Sequence, residues 1–388
     1  MGTHRHFISL FASALLLGTP LAYAGDIKLG MSTALSGPAE ALGQDMKLGM
    51  EAYFSKINKA GGVAGSTIKL IALDDQYNPD KAGPNMHKLI DEEKVLAVVG
   101  NVGTPTAVVS VPIANESKTV LFGAFTGAGV LRKNPPERYV VNYRASYAEE
   151  TAVMIDGLLS NGIKPEQIAF FTQNDGYGDA GYNGAIAALK AKGYADAEKL
   201  ARGRYERNTD NVENGLGTIL QAKVEPKAII MVGAYAPCAK FIKLAKQDLP
   251  KTLFLNVSFV GSNALLKQLG DAAEGVIVTQ VVPLYDGDDA GVKEYREAIT
   301  AFKGDAQPGF VSLEGYIAAR VFVEGLKKAG ASANRESLID ALESLQDVDV
   351  GIGTKLTLSK QDHQASHQVW PTRIKGGHFV TLNWSELK

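Results

Sequence analysis

Apolar positions along the chain follow two alternating rhythms. The runs 26-DIKLGMST-33, 67-TIKLIALDD-75, 95-VLAVVG-100 and 119-TVLFGAF-125 are short and nearly continuous. They read as strands buried on both faces. Between them, 44-QDMKLGMEAYFSKINKAGG-62 sets Met46, Met50, Tyr53, Phe54 and Ile57 at helical spacing and stops at Gly61-Gly62. Further helices are predicted over 79–93, opened by a proline, and over 104–117. This βαβαβαβ order predicts a parallel sheet with helices on both faces. The rhythm then restarts. Helices are predicted over 148–162, 178–193, 211–223 and 238–247, and strands over 167–173, 227–234, 252–258 and 275–281. Helices over 290–304, 311–330 and 335–345 follow, then a strand over 355–359 and a hairpin over 367–384 with a Gly-Gly turn. The fold class is α/β, with one doubly wound architecture used twice, and 388 residues suffice for two lobes with separate cores.

The first 24 residues stand apart from this pattern. A weakly basic start around Arg5 leads into an apolar run from Phe7 to Gly18, and Ala22-Tyr23-Ala24 supplies a small-x-small cleavage pattern. Residues 1–24 therefore read as a signal peptide cut near Ala24-Gly25, and the run is short for a membrane span. The single Cys238 excludes an internal disulfide in an exported chain and reads as a small packed residue. A formal charge of −2 gives no footprint for nucleic acid.

Catalytic signatures are missing from the sequence. It has no G-x-S-x-G, H-E-x-x-H or Walker A motif, and Gly100-Asn101-Val102-Gly103 lacks the spacing of a dinucleotide loop. The pair in 363-HQASH-367 has no third ligand nearby, so a structural role is expected rather than a metal. Asp74-Asp75, Glu92-Glu93 and Glu149-Glu150 are sequence neighbours that do not face each other, and they are expected to be mostly solvated. No cofactor and no metal is expected.

The informative residues cluster at the C-terminal ends of the predicted strands, where ligands bind in doubly wound sheets. In 97-AVVGNVGTPTAV-108, Gly103 lets the backbone come close, Thr104 is placed to cap the next helix, and Pro105 suits its first turn. Phe125-Thr126, Tyr177, Tyr235 and Ser258 fall at matching ends in both halves.

Taken together, 34-ALSGPAEALGQDMKLGMEAYFSKINKAGGVAG-65, 74-DDQYNP-79, 97-AVVGNVGTPT-106, 173-QNDGYGDAG-181, 271-DAAEGVIVT-279 and 310-FVSLEGYIAARVF-322 resemble the leucine/isoleucine/valine-type solute-binding proteins of ABC importers. The resemblance covers the mature chain. It implies the type I periplasmic-binding-protein fold, with two lobes joined by three hinge crossovers near Asn142-Tyr143, Thr279-Gln280 and Gly351 to Thr354. One lobe would be 25–142 plus 280–351 and the other 143–279 plus 352–388. It also implies a small-molecule ligand closed into the cleft, a periplasmic location, the importer's membrane subunits as partners, a monomer, and no enzyme activity. A ligand-binding sensory receptor acting through a membrane partner is the alternative.

By the same resemblance, Thr104 and Phe125-Thr126 would hold a carboxylate, and Tyr177 and Tyr235 would line the facing lobe. Leu42 and Tyr285 would shape the side-chain end. The family's acid for an α-ammonium aligns with Ser258 here. Asp175 or Glu314 could substitute. The ligand is then an amino acid or, more simply, a carboxylic acid or amide without that ammonium, because a buried ammonium lacking an acceptor is costly.

Overall fold

The computed structural model describes residues 25–387, so the expected signal peptide lies outside the described residues. The first sheet is built from β1 (Ile27–Thr33), α1 (Glu40–Lys59), β2 (Ile68–Asp74), α2 (Pro79–His87), β3 (Ala97–Val99), α3 (Thr104–Glu116), β4 (Val120–Phe122) and β5 (Val140–Val141). Its strand order is β2-β1-β3-β4-β5, parallel throughout. The order reverses between β1 and β3, which places the glycine loop after β3 at the switch point.

The second sheet follows with α4 (Tyr147–Ser160), β6 (Ile168–Gln173), α5 (Gly176–Ala191), β7 (Arg202–Tyr205), α6 (Glu213–Leu220), β8 (Ala228–Val232), α7 (Tyr235–Asp248), β9 (Leu253–Asn256), α8 (Ser262–Leu269) and β10 (Ile277–Gln280). The chain returns to the first lobe for α9 (Ala290–Phe302), α10 (Phe310–Ala329) and α11 (Arg335–Leu342). A small antiparallel pair, β11 (Val348–Asp349) and β12 (Lys355–Leu356), precedes the closing hairpin β13 (Trp370–Lys375) and β14 (His378–Thr381), which turns at Gly376-Gly377. The hairpin adds an antiparallel edge, giving the order β14-β13-β10-β9-β8-β6-β7.

Close helix packing explains why α10 rejoins the first lobe. Gly49 of α1 lies against the Ser312 carbonyl and Gly315 of α10 against that of Met46, where any Cβ would collide with backbone. This contact buries α10 from Phe310 to Ala319 without a break, and Glu314 lies in the middle of that run. Four elements were not predicted, β5, β7, α8 and β11. β7 escapes the apolar rhythm because it is a sheet edge: Arg202 and Arg204 both reach Asp179, and charge on an edge strand discourages pairing with other chains.

Three connecting segments run side by side between the lobes. Asn142 donates its N–H to the His363 carbonyl at 2.7 Å, Ala365 and Ser366 donate to the Asn142 and Tyr143 carbonyls, and the Tyr143 hydroxyl donates to the Val281 carbonyl. The third segment thus meets the first at His363–Ser366, downstream of the expected Gly351–Thr354. Gly351 instead accepts from Gly291 at the start of α9.

Candidate functional site

The loop after β3 supplies the floor of the candidate site. Gly103 sits at φ 105°, and a side chain there would drive into the Tyr77 ring. α3 begins at Thr104 with Gly103 as its cap residue, so the expectation that Thr104 caps the helix is corrected. Its buried hydroxyl instead meets the Thr126 hydroxyl at 2.6 Å. The Thr126 loop is fastened to the hinge by Arg132. That guanidinium donates to the carbonyls of Thr126 and Ala128, to the Arg144 carbonyl and to Gln364.

The opposite wall is aromatic. Phe259, in the turn after β9, lies with its ring 5.2 Å from Phe125, 5.9 Å from Tyr77 and 4.5 Å from Tyr177. It is fully buried and touches aromatic rings of both lobes. Tyr177 donates its hydroxyl to the Gly233 carbonyl, and Asp175 accepts from the Tyr177 N–H as the cap of α5. Gly261 ends the same turn at φ 80°, and a Cβ there would press on Leu42 from the first lobe and Tyr235 from the second. Leu42 and Tyr235 thus both approach Gly261. Tyr285 lies elsewhere on the lobe seam, edge-on to Phe310 with ring centroids 4.9 Å apart.

Between floor and wall lies a buried charge cluster. Ser258 donates its N–H to Glu150 Oε2 at 2.8 Å and its hydroxyl to Oε1 at 2.9 Å, and the Thr279 hydroxyl adds a bond to Oε2 at 2.6 Å. Arg144, directly after the first crossing, reaches both Ser258 and Glu150 through Nη2. Its Nε lies 3.6 Å from Glu314 Oε1 on α10. Its Nη1 has no partner among the described residues, and neither has the buried Tyr147 hydroxyl. The guanidinium carbon stands 4.7 Å from the Phe125 ring centroid and 5.8 Å from that of Tyr147. Burial opposes the Arg144 charge, but Glu314 and Glu150 beside it outweigh burial and raise its pKa. Burial lifts Glu314 to about 7 even with Arg144 pulling it down. Burial raises the Tyr147 phenol to about 12, against the opposing pull of Arg144 and the neighbouring Thr126 hydroxyl.

A profile of the periplasmic binding protein family matches residues 26–378. The chain belongs to the periplasmic binding protein family. It is similar to "Leu/Ile/Val-binding protein homolog 7" of Brucella suis biovar 1, 26% identical over 97% of this chain and 96% of that one. A solved structure, a possible leucine/isoleucine/valine-binding protein from Rhodopirellula baltica SH 1, is 50% identical, with a TM-score of 0.92 over 95% of this chain and 99% of that one. A substrate-binding periplasmic protein from Ralstonia solanacearum is 28% identical, with a TM-score of 0.81 over 90% and 97% of the two chains. These matches group the chain with periplasmic binding proteins of the Leu/Ile/Val-binding protein family.

In this periplasmic binding protein, a cavity of about 290 Å³ is lined by Pro38 and Ala39 on one side and by Gln173, Tyr205, Asn208 and Ala234 on the other, and none of Leu42, Thr104, Phe125, Thr126, Tyr177, Tyr235, Ser258 or Tyr285 lines it. Gln173 also donates to the Tyr77 hydroxyl across the cleft. Asp175 is committed to Arg207, Gln173 and the α5 cap, so it is not a free acid for a ligand. No group of three His, Cys, Asp or Glu side chains among the described residues could hold a metal. His363 and His367 do not share a helix. His363 contacts the Val140 carbonyl and Glu343, whereas His367 lies between Glu149 and Asp362.

The expectation of solvated acid pairs needs correction at two positions. Asp75 is buried, accepts from Ser32 and from the Tyr77 N–H, and is raised by burial to about 6. Glu150 is buried as the anchor of Ser258. Sequence reasoning also missed Arg144, Tyr147 and Phe259. The usable signal for Arg144 was a lone arginine immediately after a predicted crossing. Glu314, already a candidate, stands out as the one acid in the apolar first half of α10.

Proposed function

We propose that this protein is exported to the periplasm, captures a small carboxylic acid or amide lacking an α-ammonium, and passes it as a monomer to the membrane subunits of an ABC importer. The ligand enters between the open lobes, and hinge closure at the three crossings buries it. The paired hydroxyls of Thr104 and Thr126 receive its carboxylate, Phe125, Tyr177 and Phe259 flank its body, and Leu42 and Tyr235 bound its far end. Tyr285 contributes from the seam, further from the aromatic cluster.

The observation that carries this reading is the state of the Glu150 carboxylate. Three hydrogen-bond donors from Ser258 and Thr279, together with Arg144, already occupy it. A ligand ammonium would find Glu150 already taken and would face the Arg144 guanidinium, which also lies 3.6 Å from Glu314, the other carboxylate of the cluster. Burying a polar group without a partner costs several kcal/mol, and a like charge adds to that.

Thermal unfolding of protein stripped of ligand by denaturation and refolding tests the reading. A true ligand at about a hundred times its dissociation constant adds about 2.7 kcal/mol of stability. Small acids and amides are expected to raise the midpoint. A panel of acids, amides and amino acids in which none does contradicts the assignment.

A further inference from the structure

The two carboxylates beside Arg144 are unequal. Glu150, from the second lobe, is satisfied by three hydrogen bonds besides Arg144, whereas Glu314, from the first lobe, makes no hydrogen bond among the described residues. Its one ionic partner is Arg144 Nε, at a separation beyond hydrogen-bond reach. Arg144 Nη1 meanwhile keeps unused donors, and the guanidinium carbon stands over the Phe125 and Tyr147 rings. A buried cation with free donors calls for an acceptor, and a buried anion without donors is the weaker of its two counter-ions.

We propose that Arg144 sets the specificity of this cleft for an anionic ligand, and that Glu314 is its exchangeable counter-ion, yielding Arg144 to the ligand's acid group and taking a proton from solvent as it does so. The proposal rests on the ligand class argued above. The charged and titratable groups around Glu314 support it. Arg144 and Glu150 face it from the hinge and α4, Arg132 from the Thr126 loop, and the Tyr143 phenol from the first crossing. Three carboxylates cannot share Arg144 and Arg132 as cheaply as two can, because each added like charge raises the cost of ionising the next. Glu314 is the one held least firmly, and its raised pKa lies where a proton is available near neutrality. Glu150 stays ionised because its donors remain in place.

Calorimetric titration of the purified protein with 4-methylpentanoate, 3-phenylpropanoate and benzoate, from about pH 6 to about pH 8.5, tests this. Affinity for the acids that bind is expected to fall by about tenfold per pH unit above neutrality, with proton uptake visible as a dependence of the heat on buffer ionisation. Glu314→Gln, nearly isosteric, is expected to bind with a flat pH profile and no proton uptake. Arg144→Gln is expected to lose acid binding at every pH, and Arg144→Lys to recover part of it. A flat profile in the parent protein, or an unchanged slope in Glu314→Gln, overturns the proposal, as does failure of all three acids to bind. If leucine binds as tightly as 4-methylpentanoate, the ammonium argument fails instead, and the Glu314 slope remains a separate result.

Discussion

Ser258 binds both oxygens of Glu150, through its N–H at 2.8 Å and its hydroxyl at 2.9 Å. The position where relatives are expected to carry a ligand-facing acid is thus a small residue that holds an acid arriving from α4. The carboxylate is still in the neighbourhood, but it is turned into the protein and balanced by Arg144. Removing it would leave a buried guanidinium with only the poorly bonded Glu314 beside it. Glu150→Ala is expected to lower the unfolding free energy by about 3–5 kcal/mol, the range for breaking a buried ion pair from one side. Denaturant unfolding measures it, and a change within error would mean that the cluster is solvated.

Gly103 carries a second prediction. Its backbone occupies a region that side-chain-bearing residues avoid, and the space where a Cβ would go belongs to Tyr77. Gly103→Ala is expected to cost about 1–3 kcal/mol in backbone strain, before the displacement of Tyr77 is counted. Because the same loop sets the Thr104 hydroxyl, ligand affinity should fall along with the melting midpoint. Gly129, whose Cβ would meet nothing, provides the control: Gly129→Ala should leave both unchanged.

The hinge contributes a pH dependence of its own. His367 sits between Glu149 and Asp362, and hydrogen bonds to Glu149 and Asp362 raise its pKa to about 9 against a smaller desolvation penalty. The folded-state value lies above the unfolded one of about 6.5, so this contact stabilises fully below pH ~6.5 and is lost as pH rises through about 9. His367→Gln should therefore lower the melting midpoint most below pH ~6.5, by progressively less as the pH rises toward about 9, and hardly at all above it. The imidazole is largely exposed, so the effect should be small and weaken with salt. An equal loss at every pH would assign His367 a packing role only.

Much of the fold was legible because buried parallel strands are apolar throughout and their helices stop at glycines. The elements that escaped were those whose neighbours decide them. β7 is charged because it is an edge, and β5 is only two residues long. The candidate site was legible at strand ends, where Thr104, Phe125, Thr126, Tyr177, Tyr235 and Ser258 stand. Its charge was not. Successive helix residues point about 100° apart, so a Glu-Glu pair can send one acid outward and the other into the core. Glu149 and Glu150 do this, the first toward His367 and the second toward Ser258. Phe259 gave no signal because one phenylalanine in a turn is indistinguishable from core packing until both lobes are seen around it.

The most direct test of a cleft built for an acid without an ammonium is a titration with a matched pair. Ligand-stripped protein is titrated calorimetrically with leucine and with 4-methylpentanoate, which share a carbon skeleton and differ only by the ammonium group. Binding of 4-methylpentanoate tighter than leucine by at least about a hundredfold, or about 2.7 kcal/mol, is the expected result. Leucine binding the tighter of the two would contradict it.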